Sequence, residues 1–277
     1  MRSRATPVAC VALLLLSGAA GHVAARQAAV SIVFQGEDIE HFLKDAPITA
    51  IKDLPTGVTK PRKATLVQNG ITRFGVFKTI DEQPATGVQT LEDGTVEAYF
   101  QDSWRTEVAA YELDKLIGLG LVPTTVPRTY DGKTGSMQLW VDNIMDEKKR
   151  QATHTAPPDP AAWNDQMAKL FVWDNLIYNT DRNLDNILIT SSWQLVAIDH
   201  SRTFRPFGNL KNPQLVTRVS RSLLARMDAL DGPTLKSHLS PYLSPIQIQG
   251  ILKRRDALDR LVKQLVLKNG EAAVLYN

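Results

Sequence analysis

The sequence predicts an α+β protein of two lobes, β-rich first and α-helical second. Three observations carry this reading. Short apolar strand patterns separated by Asn69-Gly70 and Asp131-Gly132 turn signals occupy the first half. Apolar residues at helical spacing dominate from Ala161 onward. Between them, DEKKRQATHTAPPDP (Asp146 to Pro160) is charged and then rich in Pro and Thr, with no periodicity. At 277 residues, 43% hydrophobic and 22% charged, the chain has a globular composition and suits one large domain or two lobes around a cleft. No internal repeat is visible.

The N-terminus has its own logic. Arg2 and Arg4 precede an apolar run from Pro7 to Gly21, and HVAARQAA follows it. That is the layout of a secretory signal peptide, residues 1–25, with cleavage near Ala25 or, alternatively, Ala29. The run is short for a membrane span. A buried N-terminal helix is the competing reading. Removal of the segment takes away Cys10, the single cysteine, so the mature chain has no disulfide or thiol chemistry. It also lowers the formal charge from +3 to +1. Neither value, without a Lys/Arg run, argues for nucleic acid. The expectation is an exported protein, periplasmic or secreted, with no stable membrane span once the signal is gone.

The elements then follow in order. Residues 26–62 form an N-terminal extension, helical over Asp38 to Lys44. The β-rich lobe spans 63–145. It opens with KATLV and ITRFGVFKTI, the two strands of a hairpin closed by Asn69-Gly70, both tolerant of positive φ. Asp81 to Thr95 is rich in turns. Ser103 to Leu119 reads as a helix, with Ser103 as N-cap and Val108, Tyr111, Leu116 and Leu119 on its buried side. VPTTVPRTY and SMQLWVD are two further strands. After the 146–160 linker, the helical lobe spans 161–277. It holds a helix over Ala161 to Tyr178, a strand pair NILIT and LVAID, and helices over Gln214 to Leu230, Pro233 to Leu239 and Pro245 to Leu267.

The polar cluster of NTDRNLDNILI (Asn179 to Ile189) lies in the loop between the first of these helices and the strand pair. Asp181 and Asn186 are five apart, and Asp199 ends the strand that returns. Phosphoryl transfer needs a carboxylate to receive or orient the acceptor hydroxyl, and oxygen ligands for a divalent ion on the phosphates. Asp181, Asn186 and Asp199 supply those groups. The bland alternative is a polar turn, because Asp and Asn favour turns. Asn183 and Asp185 read as turn residues, and Arg182 as the partner of a nearby carboxylate. Upstream, Lys78 sits within an apolar strand, where it either snorkels outward or points into a cleft. Glu107 on the next helix is its candidate partner, with Glu112 as competitor. A strand Lys held by a helix Glu is how kinase folds hold the α and β phosphates.

KLFVWDNLIYNTDRNLDNILI followed by AIDHSRTF resembles the catalytic core of atypical kinases, most closely the secretory-pathway Golgi casein kinase family. Asp174, Leu176, Ile177, Asn179, Asp181 and Arg182 match one segment of that pattern, and Asp199, Arg202 and Phe204 a second. The Asp-x4-Asn arrangement is also similar to that of phosphatidylinositol 3- and 4-kinases, HipA-type kinases and aminoglycoside phosphotransferases. The resemblance implies a two-lobed protein-kinase-like fold. It implies Asp181 as catalytic base or hydroxyl-orienting residue, Asn186 and Asp199 as ligands of Mg2+ or Mn2+, and Lys78 on the phosphates of ATP, held by Glu107. The strand Met137 to Val141 would continue into the hinge that meets adenine. The implied activity is transfer of the ATP γ-phosphoryl group to a hydroxyl acceptor, with protein preferred over a lipid headgroup or a small molecule.

The chain departs from the pattern in named places. No G-x-G-x-x-G precedes Lys78, and His200 stands where a Gly usually follows the metal-binding Asp. An exported chain also leaves the compartment that holds ATP. The alternative function is therefore a catalytically inactive kinase-like binding module of the cell envelope. A third reading, a metal-dependent hydrolase such as a phosphatase, leaves Lys78 without a role.

Overall fold

The structure is a computed structural model that describes residues 33–55, 60–83, 87–91 and 94–277. The signal segment expected at 1–25 lies outside the described residues. Helix α1 (Glu37–Asp45) leads into strands β1 (Ile48–Asp53), β2 (Arg62–Gln68) and β3 (Ile71–Lys78). Four short strands follow: β4 (Asp81–Glu82), β5 (Val88–Thr90), β6 (Val96–Ala98) and β7 (Asp102–Ser103). Helix α2 (Trp104–Ile117), β8 (Thr125–Tyr130) and β9 (Lys133–Leu139) complete the first lobe. β10 (Met145–Asp146), α3 (Glu147–Ala152) and α4 (Pro160–Leu176) open the second. There follow β11 (Ile187–Ile189), β12 (Leu195–Ala197), β13 (Val219–Ser220) and α5 (Arg221–Asp228). The chain ends with α6 (Gly232–Leu239), α7 (Pro245–Asn269), α8 (Glu271–Val274) and β14 (Leu275–Tyr276).

The first lobe is an antiparallel sheet in the order β1-β2-β3-β9-β8. Both sequence-legible hairpins are two-residue turns. Gln68 pairs with Ile71 across Asn69 (φ 51) and Gly70 (φ 77), and Tyr130 pairs with Lys133 across Asp131 (φ 51) and Gly132 (φ 69). Positive φ at both central residues matches the strand twist, which fixes register and sends Lys78 to the inner end of β3. Phe42, Leu43, Leu66, Phe77 and Met137 form this lobe's core.

Helix α2 is the joint between the lobes. The Ser103 hydroxyl accepts the Arg105 backbone N–H at 3.1 Å, and Gly118 ends the helix in the left-handed conformation at φ 55. Ala109, Tyr111, Leu113 and Ile117 bury into the second lobe's core beside Trp173, Leu176 and Leu235. Asp114, on the same helix, is fully buried. Its carboxylate accepts the N–H groups of Gly120, Leu121 and Val122, each at 2.8 Å, and the Gln35 amide at 3.1 Å. It ties the turn after α2 to the N-terminal segment.

The structure corrects three sequence boundaries. The 26–62 stretch is not a plain extension, because β1 and its pairing with β2 make it part of the sheet. The 146–160 linker holds α3, which Asp146 caps by accepting the Lys149 N–H at 2.7 Å. The helix expected over Gln214 to Leu230 is shortened to α5; Val219–Ser220 instead pairs in parallel with Leu275–Tyr276. That pairing joins residues distant in sequence, so no local pattern announces it. Among the described residues no helix is long and apolar enough to cross a membrane.

Asp114→Ala leaves the buried N–H groups of Leu121 and Val122, and the half-buried N–H of Gly120, without an acceptor. Equilibrium urea unfolding is expected to show a loss of about 2–4 kcal/mol, since each unsatisfied buried donor costs about 1–3 kcal/mol.

Candidate active site

A cavity of about 440 Å³ opens between the lobes. The sheet supplies Val76, Lys78 and Gln138, the segment just after β9 supplies Trp140, and the second lobe's loops supply Asp181, Asn186 and Asp199. Glu107 lies behind Lys78, on α2, and is buried. All five residues singled out in the sequence thus meet at one place.

Lys78 is the centre of the arrangement. Its Nζ is 2.5 Å from Glu107 Oε1 and 2.8 Å from Asp199 Oδ1. Burial alone would lower its pKa, but the two carboxylates overcome this and raise it, so the lysine stays charged. Burial would raise Asp199, yet Lys78 overrides it and holds the carboxyl well below the usual range. Glu107 is raised by burial, against the pull of Lys78. Glu112, the competing partner, faces outward and pairs with Lys115 at 3.1 Å.

The loop after α4 is shaped by Arg182 rather than by its turn residues. Its guanidinium donates to both Asp174 oxygens at 3.0–3.2 Å, and to the carbonyls of Ile198 at 2.7 Å and Asn186 at 3.3 Å. The pairing with a carboxylate expected for Arg182 is therefore internal, and it joins this loop to the segment after β12 that carries Asp199. Asp181 is placed by its own N–H, which donates to Asn179 Oδ1 at 2.9 Å, and by Asn183, whose amide donates to its carboxylate at 3.0 Å. Asn183 and Asp185 both line the cavity. The reading of Asn183 as a mere bend is corrected: it holds Asp181. Burial raises the Asp181 pKa and Asp199 adds to the effect, while Arg202 works against both.

Asp199 has φ 59, a left-handed conformation that Asp tolerates better than most residues. Its Oδ1 accepts Lys78 and, at 3.3 Å, the Ser201 hydroxyl. Its other oxygen and the Asn186 side chain make no hydrogen bond to a described residue. Among the described residues no three His, Cys, Asp or Glu side chains form a metal cluster. The donor set is instead two carboxylates and an amide facing one cavity. That oxygen-rich chemistry fits a hard divalent cation, with Asn186 and Asp199 as the residues that would hold it.

Three residues were given no role by sequence reasoning, although Arg202 and His200 lie in the matched segment. His200 turns away from the cavity and is 0% exposed. Its Nε2 accepts the Trp173 indole N–H at 3.3 Å and meets Arg182 Nη2 at 3.1 Å. Both partners can only donate, so the ring proton sits on Nδ1, 3.9 Å from Glu107 Oε2. Burial, then Arg182, pushes its pKa well down, so it is neutral. Its backbone N–H donates to Glu107 Oε2 at 3.1 Å. The residue in the usual glycine position therefore links the Asp199 loop, Arg182 and the helix glutamate. Arg202 bridges Asp102 at 2.9 Å and Asp181 at 3.5 Å. Asp102, five residues before Glu107, carried no motif signal at all.

The two lobes, the strand lysine held by a helix glutamate and the Asp-x4-Asn loop facing it define a kinase-like fold. A sequence model of the family "Phosphatidylinositol 3- and 4-kinase" matches residues 93–230. Among solved structures, a hydra Fam20 determined with sugar is similar at TM-score 0.65 and 16% identity, over 86% of this chain and 91% of that one. The Helicobacter pylori proinflammatory kinase CtkA is similar at TM-score 0.53 and 14% identity, over 82% of this chain and 98% of that one. No curated protein sequence matches the chain.

Lys78→Met leaves Glu107 and Asp199 buried around a missing cation. Chemical denaturation is expected to show a loss of about 3–5 kcal/mol, the range for removing one partner of a buried ion pair. Lys78→Arg, which keeps the charge, should lose less.

Proposed function

We propose that this chain is an ATP-dependent phosphotransferase acting on a hydroxyl acceptor, protein in preference to lipid or small molecule. One observation carries the proposal: Lys78, Asp181, Asn186 and Asp199 line a single cavity, with Glu107 holding Lys78 from behind. Lys78 contacts the phosphates. Val76, Ile198 and Leu54 offer an apolar surface for the base, beside Trp140 at the end of β9. Asp181 orients the acceptor hydroxyl and takes its proton as the acceptor oxygen bonds to the γ-phosphorus. The bond from that phosphorus to the β–γ bridging oxygen breaks, and ADP leaves. A bound Mg2+ or Mn2+, held by Asn186 and Asp199, supplies charge neutralisation on the phosphates.

Export through residues 1–25 belongs to the same proposal and rests on the Arg2/Arg4 start and the Pro7–Gly21 apolar run. A second reading, a non-catalytic binding module, draws support from one observation. Asp199 is already engaged by Lys78, so the ion pair also serves the fold alone.

Thermal denaturation with ATP and Mn2+ or Mg2+ separates the two. The kinase reading expects stabilisation of about 2.7 kcal/mol at a ligand concentration near 100 Kd. Phosphoryl transfer should fall about 10²–10⁴-fold in Asp181→Asn while nucleotide stabilisation persists. Absence of nucleotide stabilisation with either metal would sink the proposal.

Transfer also has a predictable pH dependence. The base works ionised, and burial places the Asp181 pKa above its ordinary 3.8. The rate should therefore fall as pH drops through that raised value. Arg202→Met removes a cation that holds Asp181 down, so the acid limb of the kcat/KM profile should move to higher pH.

A further inference from the structure

The cavity carries more negative charge than the two carboxylates, Asp181 and Asp199, that the proposed chemistry uses. Among the described residues, Asp102, Asp181, Asp185 and Asp199 line the cavity, against Lys78 and Arg202. Lys78 is already shared between Asp199 and Glu107. Arg202 is shared between Asp102 Oδ2 and Asp181. ATP with one divalent ion is still anionic and does not relieve the excess.

Asp102 gives this acidity a direction. It is 2% exposed, yet it lines the cavity. Its Oδ2 accepts Arg202 Nε at 2.9 Å, while Oδ1 is buried with no hydrogen-bond partner among the described residues. A buried carboxylate oxygen without a donor is costly, and at the wall of a cavity a donor brought by a ligand would relieve it. Arg202 joins Asp102 to Asp181, so the open oxygen belongs to the end where the acceptor hydroxyl sits and not to the base end around Val76 and Trp140. Among the described residues, Asp185 has a distant, exposed partner in Lys148 at 3.8 Å.

We infer that Asp102 is a specificity residue for a cationic acceptor: a peptide whose phosphorylated Ser or Thr is flanked by Arg or Lys, the basic group donating to Asp102 Oδ1. An acidic flank would face carboxylates on two sides, so repulsion adds to the discrimination. The inference rests on the kinase reading for the role of Asp181. The charge preference can nevertheless be read by binding alone.

The test is calorimetric binding of three short serine peptides, flanked by Arg, Glu or Gln, to the full chain with and without ADP and Mg2+. The Arg-flanked peptide should bind at least about tenfold more tightly than the Glu-flanked one. Asp102→Asn keeps an acceptor for Arg202, and should erase most of that difference while leaving stabilisation by ATP and Mn2+ unchanged. Asp185→Asn should leave most of the preference in place. Equal binding, no binding, or preference for the Glu-flanked peptide in the unmutated protein overturns the inference even if Asp102→Asn fails to fold. So does a preference that survives Asp102→Asn. Loss of the kinase reading shows separately, as absent stabilisation by ATP and metal.

Discussion

The Lys78 ammonium, set between Glu107 and Asp199, is the contact on which the two lobes depend. It comes from the sheet, Glu107 from the joint helix and Asp199 from the loop after β12. A charge this deeply buried is tolerable only with opposite charges in contact. Two carboxylates around one lysine leave the trio with a surplus negative charge. That surplus suits the site to a cation and makes the trio a poor stabiliser by itself. The arrangement reads as one whose full compensation comes with a bound ligand.

Around this contact, buried arginines do the work that a run of short polar turns could not. Arg182 fixes the Asp181 loop through Asp174 and two carbonyls. Arg254 donates to the carbonyls of Leu176, Arg205 and Phe207 at 2.6–2.7 Å, with no carboxylate partner among the described residues, and burial pushes its pKa down to about 9. Arg205 donates to Glu97 at 2.8 Å and to the Tyr99 carbonyl, which anchors the β5–β6 ribbon. A planar fork with five donors can join several carbonyls at once, which a lysine cannot. The segments flanking Asp199 are thus braced from behind, leaving its carboxylate for the cavity.

The cavity is uneven along its length. One end is apolar, from Leu54, Val76, Trp140 and Ile198, and the other is dominated by Asp side chains. His200 shows how the acidic end is kept in register. A glycine at this position would supply the backbone N–H to Glu107, but not the acceptor for Trp173 and Arg182. Here the side chain trades the freedom of glycine for a tie between three elements.

By itself the sequence determined the two lobes, both hairpins, the Ser103 cap and four residues that line the cavity, Lys78, Asp181, Asn186 and Asp199. Those features are written in local signals: period, turn chemistry, and a polar cluster between apolar runs. Only the tertiary structure decided that Glu107 and not Glu112 meets Lys78, since the two are five positions apart on one helix and packing chooses the face. It also decided that residues 48–53 join the sheet, that Val219–Ser220 pairs with the C-terminus, and that Asp102 and His200 matter. Asp102 reads as an ordinary residue before a helix and His200 as an ordinary histidine. Their meaning comes from partners about a hundred and about ninety residues away, and no pattern along the chain encodes burial of a carboxylate oxygen beside a distant arginine.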